Sequence, residues 1–570
     1  MIFFGGSVPF GSAGKAAETV SKLSPIFFER IGLGIDPICM AQPIAPDYGQ
    51  QFLFPPALED WVPANHPARF LREFVDQLDL PALGFVTPTA AEGRPPYAPS
   101  LLLKIWLYGY FHRLRSTRKL ETACREHLAL LWLTGLLQPD HNSLWRFWRD
   151  HKKALRAVFQ QTVQVAVRTG AVGLALQALD GTKIEAAASG HTGWSKEYME
   201  KLLAQLDDAL DQTELKIAEE NAALAAPGYR LPKSLAERQA LRDEIKKGLA
   251  QLAADGRRHY HPVEPEARRM KISNGTNRFA YNAQAVADQK EGVIVAGDAS
   301  RQETDSGQLV PLIQQARENV GPALPQDTVT LADTGYGTGA DLQAAAAQGL
   351  PVLVPPREGP STPDQPYAAQ YFHYDPAAGT VTCPQGRGLD HEGGTTKHGV
   401  RVERYRCHCG DCPVRTHCTR DPKGRQIEVW PHTPEVQAMR ARLNEPATAA
   451  LWRQRGRIIE RPFAQIKQHD GFRRWTVWGL DGVRTQWALL CATLNLRILY
   501  RRWRVGRGPQ GGSAAAVLRA VAGRIARGIA RVFATIAARS ARGLAGLASE
   551  WPQRPGLRWC GRTFGRPARP

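Results

Sequence analysis

The spacing of apolar residues changes along this chain and separates a helical region from a region of mixed strands and helices. Between residues 52 and 170 apolar residues recur every three to four positions, as in SLLLKIWLYGYFHRL, which predicts helices. From residue 171 onward they form short runs of strand length, such as ALQAL, GVIVAG and LPVLVPP. Helical segments separate the later runs, and one of them follows a cap-like TDS at residues 304–306. This order predicts a parallel or mixed sheet flanked by helices, and therefore an α/β fold.

Two segments interrupt the α/β pattern. Residues 194–260 are charged, rich in Leu and Ala and broken by a Pro/Gly tip, which predicts an inserted helical hairpin. Residues 360–430 hold five of the nine cysteines and predict a small cysteine-rich insertion. The domains that we expect are a disordered or mistranslated leader at 1–49, a helical domain at 50–170, the α/β domain at 171–503 and a basic tail rich in Ala, Arg and Gly at 504–570.

We expect no secretory signal at the beginning of the chain, because residues 1–39 lack a basic segment followed by an apolar core. Met40 opens a more ordinary start, so translation from Met1 and translation from Met40 are both open. No apolar run reaches the roughly 18 residues needed to span a bilayer. These features favour a cytoplasmic protein with no membrane contact.

The chain has 570 residues and a net charge of +19, but this charge is concentrated at one end. Residues 501–570 contain 15 arginines and one glutamate, so +14 of the +19 lies there. The overall charge is therefore a weak argument that the rest of the chain binds nucleic acid. The tail is either a basic amphipathic helix that binds DNA or anionic lipid, or a dispensable extension.

Two isolated aspartates each end an apolar run that predicts a buried strand. Asp180 follows ALQAL, with Gly181 expected to break the strand, and Asp333 follows DTVTLA. Burying a carboxylate is costly unless it has a partner of opposite charge, and a bound metal ion is one such partner. Downstream, RGRIIERPFAQIK predicts a helix on which Glu460 and Lys467, seven residues apart, share one face. Taken alone, Glu460 is more typical of a solvated ion-pair partner.

The clustered cysteines favour a metal site over disulfides, because no secretory signal precedes them. Cys409 and Cys412 form a Cys-x-x-Cys knuckle, and Cys383 and Cys418 are the best remaining pair for a tetrahedral zinc site. Three neighbouring side chains compete for the same role: Cys407, His408 and His417. Four ligands would close the coordination shell, so the predicted role of zinc is structural.

The order Asp180, Asp333, Glu460, with the motifs DGTKIEA, LADTGYG and RIIERPFAQIKQHDGFRRW, resembles the DDE transposases of bacterial insertion sequences. Upstream, PPALEDWVPANHPARFLREFVDQLDL and PDHNSLWRFWRDH are similar to the N-terminal transposase domain of that family. The similarity covers about residues 50–503. Together with the patterns above, it implies an RNase H-like catalytic core with an N-terminal helical DNA-binding domain, a helical-hairpin insertion and a small zinc-ribbon-like insertion.

The resemblance implies metal-dependent cleavage and transfer of DNA strands by an Asp-Asp-Glu triad. Two Mg²⁺ or Mn²⁺ ions, roughly 3.5–4 Å apart, would activate the attacking oxygen and stabilise the leaving oxygen. Hard divalent cations prefer carboxylate oxygens, so we expect Asp180 to bridge the ions, with Asp333 and Glu460 each completing one. Water would first release a 3′-hydroxyl at the element end, and that hydroxyl would attack target DNA. Lys467 would hold a phosphate near the scissile bond.

One part of the related superfamily pattern is missing. That pattern runs Tyr, two residues, Arg, three residues, Glu, six residues, Lys, and the final Glu and Lys keep their spacing here. Arg453 occupies the tyrosine position and Gly456 the arginine position. Arg455 and Arg457 flank the gap, and we expect Arg457 to substitute for the missing arginine.

Several further side chains are candidates for DNA contact. Trp475 and Trp478 would stack either on an unpaired base or against the core. Lys183 either contacts a backbone phosphate or is simply exposed. In the predicted helix LWRFWRDH, Arg146 and Arg149 either follow phosphates or face solvent, whereas the spacing of its two tryptophans favours the core.

The sequence therefore predicts a DNA transposase whose partners are terminal inverted repeats and target DNA. Because two DNA ends must be paired, we expect at least a homodimer in the DNA complex, associated with the nucleoid. Two alternatives remain: a relic that binds DNA without cutting it, and an RNase H-like nuclease of DNA repair or recombination. The intact triad argues against the relic, and the separate N-terminal domain favours transposition over repair.

Overall fold

The computed structural model describes residues 57–87, 95–188, 193–223, 233–272, 275–357 and 367–506. The expected leader and nearly all of the expected tail lie outside these residues, and so does the choice of start between Met1 and Met40. Within the described part of the chain, no helix is long and apolar enough to cross a membrane.

Six helices form the first part of the described chain, where apolar residues recur every three to four positions. They are α1 (Pro67–Asp76), α2 (Pro99–Phe111), α3 (Thr117–Glu126), α4 (Leu128–Thr134), α5 (His141–Asp150) and α6 (Lys152–Arg168), preceded by a 3₁₀ turn at Leu58–Trp61. Their apolar faces are buried, with Leu103, Trp148 and Leu155 almost without exposure. The segments with this amphipathic spacing therefore form helices whose apolar faces pack around one core.

The first strand of the central sheet is β1 (Leu176–Glu185), and a segment with two long helices follows it along the chain. The short strand β2 (Trp194–Ser195), α7 (Lys196–Ala223), α8 (Lys233–Asp255) and β3 (His259–Tyr260) follow in that order, with β2 antiparallel to β3. The two helices pack against each other through a small separate core that includes Met199, Ile245 and Tyr260.

Five further strands complete the central sheet, with two helices between them. The elements are β4 (Arg268–Lys271), β5 (Asn277–Asp288), β6 (Ile294–Ser300), α9 (Leu309–Val320), β7 (Val329–Leu331), α10 (Gly339–Ala347) and β8 (Val352–Leu353), with 3₁₀ turns at Gly321–Ala323 and Thr334–Tyr336. β5 and β6 are the two arms of an antiparallel hairpin. The alternation of later strands with helices agrees with the order that the apolar runs predict.

β1 is central in this sheet, and its two neighbours run in different directions. β5 pairs antiparallel with it from Gln177 to Glu185, whereas β7 pairs parallel with it only from Leu176 to Ala178. β4 and β6 are antiparallel to β5, and β8 is parallel to β7. The mixed α/β class is therefore confirmed, and β1 and β7 separate just before Asp180.

Gly181 does not break β1, contrary to the expectation from sequence. The strand continues to Glu185, and Gly181 pairs with Gln284 on β5. The glycine is needed for space instead, because a Cβ at this position would lie 2.6 Å from both Asp305 Oδ1 and Gln284 Nε2. Asp180 consequently lies inside a long strand and not at its end.

Residues 367–430 form a second, five-stranded antiparallel sheet. Its elements are a 3₁₀ turn at Ala369–Tyr371, β9 (His373–Asp375), β10 (Thr380–Thr382), β11 (Gly388–Lys397), β12 (Val400–Cys407), the short helix α11 (Arg415–Cys418) and β13 (Arg425–Val429). The strands lie side by side in chain order. Phe372, Val381 and Tyr405 form a small core with the cysteines of this region.

Helices form the rest of the described chain and cover the central sheet. They are α12 (Thr433–Asn444), α13 (Pro446–Trp452), α14 (Arg455–Ala464) and α15 (Leu480–Gly506), with a π-helical segment at Gln465–His469 directly after α14. α14 packs against β1 and β5, and α15 packs against β6, α2 and α6. Asn495 of α15 donates to Ile294 O at 2.8 Å and accepts from Ile294 N at 2.9 Å. This last helix therefore joins the N-terminal helices to the sheet.

Candidate active site

Asp180 lies on β1 two residues after β7 leaves that strand. Its side chain is 21% exposed, and its Oδ2 accepts a hydrogen bond from Arg455 Nη1 at 3.1 Å. Burial raises the pKa of Asp180 to about 6; Arg455 opposes this increase and the charge of Asp333 adds to it. Asp180 is therefore a largely buried carboxylate that interacts with one cation and one anion.

Asp333 follows β7 and caps the turn Thr334–Tyr336, where its Oδ1 accepts from Gly335 N at 2.8 Å. Its charge acts on Asp180, so the two carboxylates are close enough to repel each other. Burial raises the pKa of Tyr336 well above its usual range, and Asp305, Asp180 and Asp333 all raise it further. Three carboxylates therefore lie near one buried phenol.

Glu460 is exposed on α14, the helix that packs against β1 and β5. Its Oε1 lies 3.0 Å from the position that a Cβ on Gly456 would occupy, one turn earlier. Arg455, next to that glycine, is the residue that contacts Asp180. The first turn of α14 therefore contains both the arginine that contacts Asp180 and the glycine that Glu460 faces.

Arg455, and not Arg457, contacts Asp180. Arg457 is exposed two residues further along α14. At Gly456 a side chain would press against Glu460, because a 3.0 Å approach is closer than ordinary van der Waals contact. The arginine that contacts Asp180 is therefore Arg455, one residue before Gly456, where the superfamily pattern has its arginine.

Lys467 lies in the π-helical segment Gln465–His469 and is half-buried. Burial lowers its pKa, Arg473 lowers it further, and Asp180 opposes the change. The lysine is therefore close enough to Asp180 to interact with its charge. A π-helical turn changes the angle between successive side chains, so the α-helical phase assumed for Glu460 and Lys467 does not extend through this segment.

The donor set suits a divalent cation. Asp180 and Asp333 offer carboxylate oxygens, which hard cations prefer, and a cation would offset their repulsion. Within the described residues, no three His, Cys, Asp or Glu side chains lie close enough together to hold one ion. A site with three carboxylates therefore requires at least one of them to move.

A surface groove of about 400 Å³ contains two of the predicted DNA contacts, Arg149 and Trp478. The groove is lined by Trp145, Trp148, Arg149, Lys152, Thr476, Val477 and Trp478. Trp145 and Trp478 are 44% and 64% exposed, and Trp145 stacks on the buried Trp148 with ring centroids 5.4 Å apart. The expectation that both helix tryptophans belong to the core is right for Trp148 and wrong for Trp145.

Three other predicted contacts lie elsewhere. Trp475 is 2% exposed and packs edge-on against Trp487, so of the two alternatives expected for it, packing against the core is the right one. Lys183 is half-buried and lies three positions after Asp180 on β1, which directs the two side chains to opposite faces of the sheet. Arg146 is exposed on α5.

Five free cysteines line a cavity of about 20 Å³ beside the second sheet: Cys383, Cys407, Cys409, Cys412 and Cys418. That volume has room for roughly one water molecule or ion. The four predicted zinc ligands therefore share one cavity with Cys407. In the described residues, however, no three of these thiols are close enough to form a metal site as they stand.

Two residues of the site have no clear signal in the sequence. Arg455 is there only a flank of Gly456, and Asp305 belongs to the predicted helix cap. The cap prediction is wrong, because α9 begins after Gln308 without a side-chain cap. Asp305 instead accepts hydrogen bonds from Asn282 and Gln284 on β5.

Two family models match this chain. A transposase DDE domain matches residues 382–500, and a transposase domain (DUF772) matches residues 56–150. These matches confirm the resemblance to the DDE transposases of insertion sequences. The DDE match includes Glu460, whereas neither match includes Asp180 or Asp333. A search of curated proteins finds no match.

The pKa of Asp180 leads to a prediction about stability. Because this pKa is raised from 3.8 to about 6 in the folded protein, the native state binds the proton more tightly than the unfolded state, and stability falls as the pH rises through this interval. Asp180→Asn removes that effect, which is at most about 3 kcal/mol for two pKa units. In EDTA, we expect the variant to melt at a higher temperature than the wild type at pH 7, but not at pH 4.

The control for this comparison is Asp327→Asn, which changes an exposed carboxylate in the same domain. It should leave the melting temperature unchanged at both pH values. If Asp180→Asn is less stable than the wild type at pH 7, the buried Asp180 carboxylate does not destabilise the folded protein, and the prediction is wrong.

Proposed function

With a transposase DDE domain and a DUF772 transposase domain in one chain, we propose that this protein is a DNA transposase of an insertion sequence. Asp180, Asp333 and Glu460 would cut and join DNA strands with the help of divalent metal ions. The observation that carries the proposal is the position of Asp180 and Asp333 where β1 and β7 separate, and the charge of Asp333 contributes to the raised pKa of Asp180. Perturbed carboxylates of this kind are typical of functional sites.

The strand order supports an RNase H-like core for residues 171–503. β6, β5 and β1 lie side by side with antiparallel pairing, and β7 and β8 continue the sheet in parallel beyond β1. The triad would then come from the central strand, the parallel strand beside it and a late helix. We propose that 50–170 recognises the DNA ends and that 194–260 and 360–430 are insertions in the catalytic domain.

The chain's own groups would bind and orient the reactants. Bound Mg²⁺ or Mn²⁺ would activate the attacking oxygen and stabilise the leaving oxygen. Arg455 donates a hydrogen bond to Asp180 and neutralises part of its charge. Lys467, near Asp180, would hold a DNA phosphate beside the carboxylates. The same arrangement would serve water and the 3′-hydroxyl in turn, with two chains pairing the two DNA ends.

Glu460→Gln should abolish metal-dependent nicking of DNA that carries the element's terminal repeats. The amide keeps the size of the side chain but loses the charge that a metal ligand needs. We expect the rate to fall at least a hundredfold, which is about 2.7 kcal/mol in the barrier. Nicking and strand transfer are measured on gels in Mg²⁺ or Mn²⁺, with Asp180→Asn and Asp333→Asn in parallel.

The matched control is Glu445→Gln, an exposed glutamate directly before α13, which should retain wild-type activity. Equal activity of Glu460→Gln and wild type would reject the triad. Cleavage without preference for the repeats would favour a repair or recombination nuclease. A wild-type protein that binds the repeats but never cleaves them would be the inactive relic.

We propose that the tryptophan groove contacts DNA through stacking. Its two cations are paired, Arg149 Nε with Asp150 Oδ1 at 2.7 Å and Lys152 Nζ with Asp481 Oδ2 at 3.0 Å. Net charge therefore contributes little there, and the exposed rings of Trp145 and Trp478 are the groups available for a base. The exposed Arg146 and Arg457, together with the half-buried Lys183, are proposed as phosphate contacts elsewhere.

Trp478→Ala and Trp145→Ala should each weaken binding to terminal-repeat DNA by roughly 5- to 150-fold, the equivalent of about 1–3 kcal/mol per stacked base. The slope of affinity against salt concentration should stay the same, because no phosphate contact is lost. Tyr371→Ala, a change of a 49% exposed aromatic residue in the second sheet region, is the control. Unchanged affinity in both tryptophan variants would exclude the groove from DNA binding.

We also propose a structural zinc ion in the cysteine cavity, held by Cys383, Cys409, Cys412 and Cys418. The proposal is supported by the thiol donor set, which zinc prefers, and by a cavity of about the size of one ion. Since the thiols do not form a metal site as they stand, binding would have to draw them together.

The zinc proposal predicts one zinc ion per chain in protein purified without chelators, measured by elemental analysis. Cys412→Ser should lose most of this zinc and melt at a lower temperature, because zinc binding contributes to folding free energy. Cys491→Ala alters a buried thiol on α15 and should keep the full zinc content. A wild-type protein without zinc would reject the site.

A further inference from the structure

Asp305 is held by two buried amides of the central sheet. Asn282 Nδ2 and Gln284 Nε2 both donate to its Oδ1 at 2.7 Å, and both amide side chains are completely buried. In the register of β5 with β1, Gln284 lies opposite Gly181. Asp305 therefore lies on the face of the sheet opposite the Asp180 side chain, behind the residue that follows Asp180.

Two glycines leave the space that the Asp305 carboxylate occupies. A Cβ at Gly181 would lie 2.6 Å from Asp305 Oδ1, and a Cβ at Gly335 would lie 3.0 Å from Asp305 Oδ2. The same Cβ at Gly335 would lie 2.9 Å from Asp333 Oδ1. Asp305 therefore fits between the backbone next to Asp180 and the backbone next to Asp333.

The amide side chains around Asp305 are oriented to donate hydrogen bonds to an anion. Because Asn282 turns its Nδ2 toward Asp305, its buried Oδ1 has no hydrogen-bond partner among the described residues. A buried acceptor without a partner is unfavourable, so a compensating interaction is expected. The Tyr336 hydroxyl donates to Gln284 Oε1, which fixes the Gln284 amide with its N–H toward Asp305.

We propose that Asp305 is a positioning residue for the two aspartates of the active site. Its carboxylate would fix the separation between the chain segments at Gly181 and Gly335, and its charge would keep Asp333 turned away from it. The inference rests on the proposed function, since it concerns the divalent metal site of Asp180 and Asp333. Asp305 would act on the metal through these aspartates and not as a ligand.

Asp305→Asn tests the charge. The amide oxygen still accepts from Asn282 and Gln284, but an N–H₂ group replaces the oxygen that faces Gly335 and would attract Asp333. We expect the affinity for Mn²⁺, measured by electron paramagnetic resonance on the full chain, to fall about tenfold or more, as for other residues that orient metal ligands. Asp327→Asn, a change of an exposed aspartate before β7, is the control with unchanged affinity.

Gly181→Ala tests the same idea while the carboxylate remains. Its methyl group would displace Asp305 and should also lower Mn²⁺ affinity at least several-fold. Gly388→Ala is the matched control, because nothing lies within 4 Å of a Cβ at that position. If Asp305→Asn fails to fold, the comparison of these two alanine variants decides.

Lower Mn²⁺ affinity in folded Asp305→Asn or Gly181→Ala, with both controls unchanged, would support the positioning role. A lower melting temperature with wild-type Mn²⁺ affinity in both variants would overturn it and leave Asp305 a purely structural residue. A wild-type protein that binds no Mn²⁺ would instead reject the proposed function, and this inference with it.

Discussion

Two carboxylates that repel each other lie where β1 and β7 separate, and the side chains around them compensate for their negative charge. Burial and repulsion raise the pKa of Asp180 while Arg455 opposes the increase. Arg455 comes from the first turn of α14, and Lys467 comes from the π-helical segment after it. Positive charge from one late helical region therefore meets negative charge from the sheet. Isolated buried charges would be strongly unfavourable without such partners.

The precision of this arrangement depends on buried polar contacts behind it. Trp487 of α15 donates to Gln284 O at 2.8 Å, and Asn495 bonds both backbone groups of Ile294. These contacts hold β5 and β6 from one side, while the side chain of Gln284 reaches Asp305. Paired polar groups in a core favour one arrangement, because a displacement leaves a buried donor or acceptor without its partner.

The order of strands and helices was predictable because hydrophobic spacing is a local property, and the hairpin of β5 and β6 follows its two apolar runs. Position 181 shows the limit of such reasoning. A glycine after an apolar run is typical of a break, yet Gly181 continues the strand because Asp305 and Gln284 occupy the space opposite it. The seven-residue spacing of Glu460 and Lys467 likewise predicts a shared face only for an uninterrupted α-helix.

By itself, the sequence determined the helical first part, the mixed α/β part and the carboxylates worth testing, since periodicity and isolated charges are visible along the chain. Only the tertiary structure decided that Arg455 meets Asp180, that Asp305 lies behind it, and that Trp478 is exposed while Trp475 is buried. These outcomes depend on distances between segments that are far apart in the chain. Local patterns carry no such distances, because the packing of the whole domain determines which segments meet.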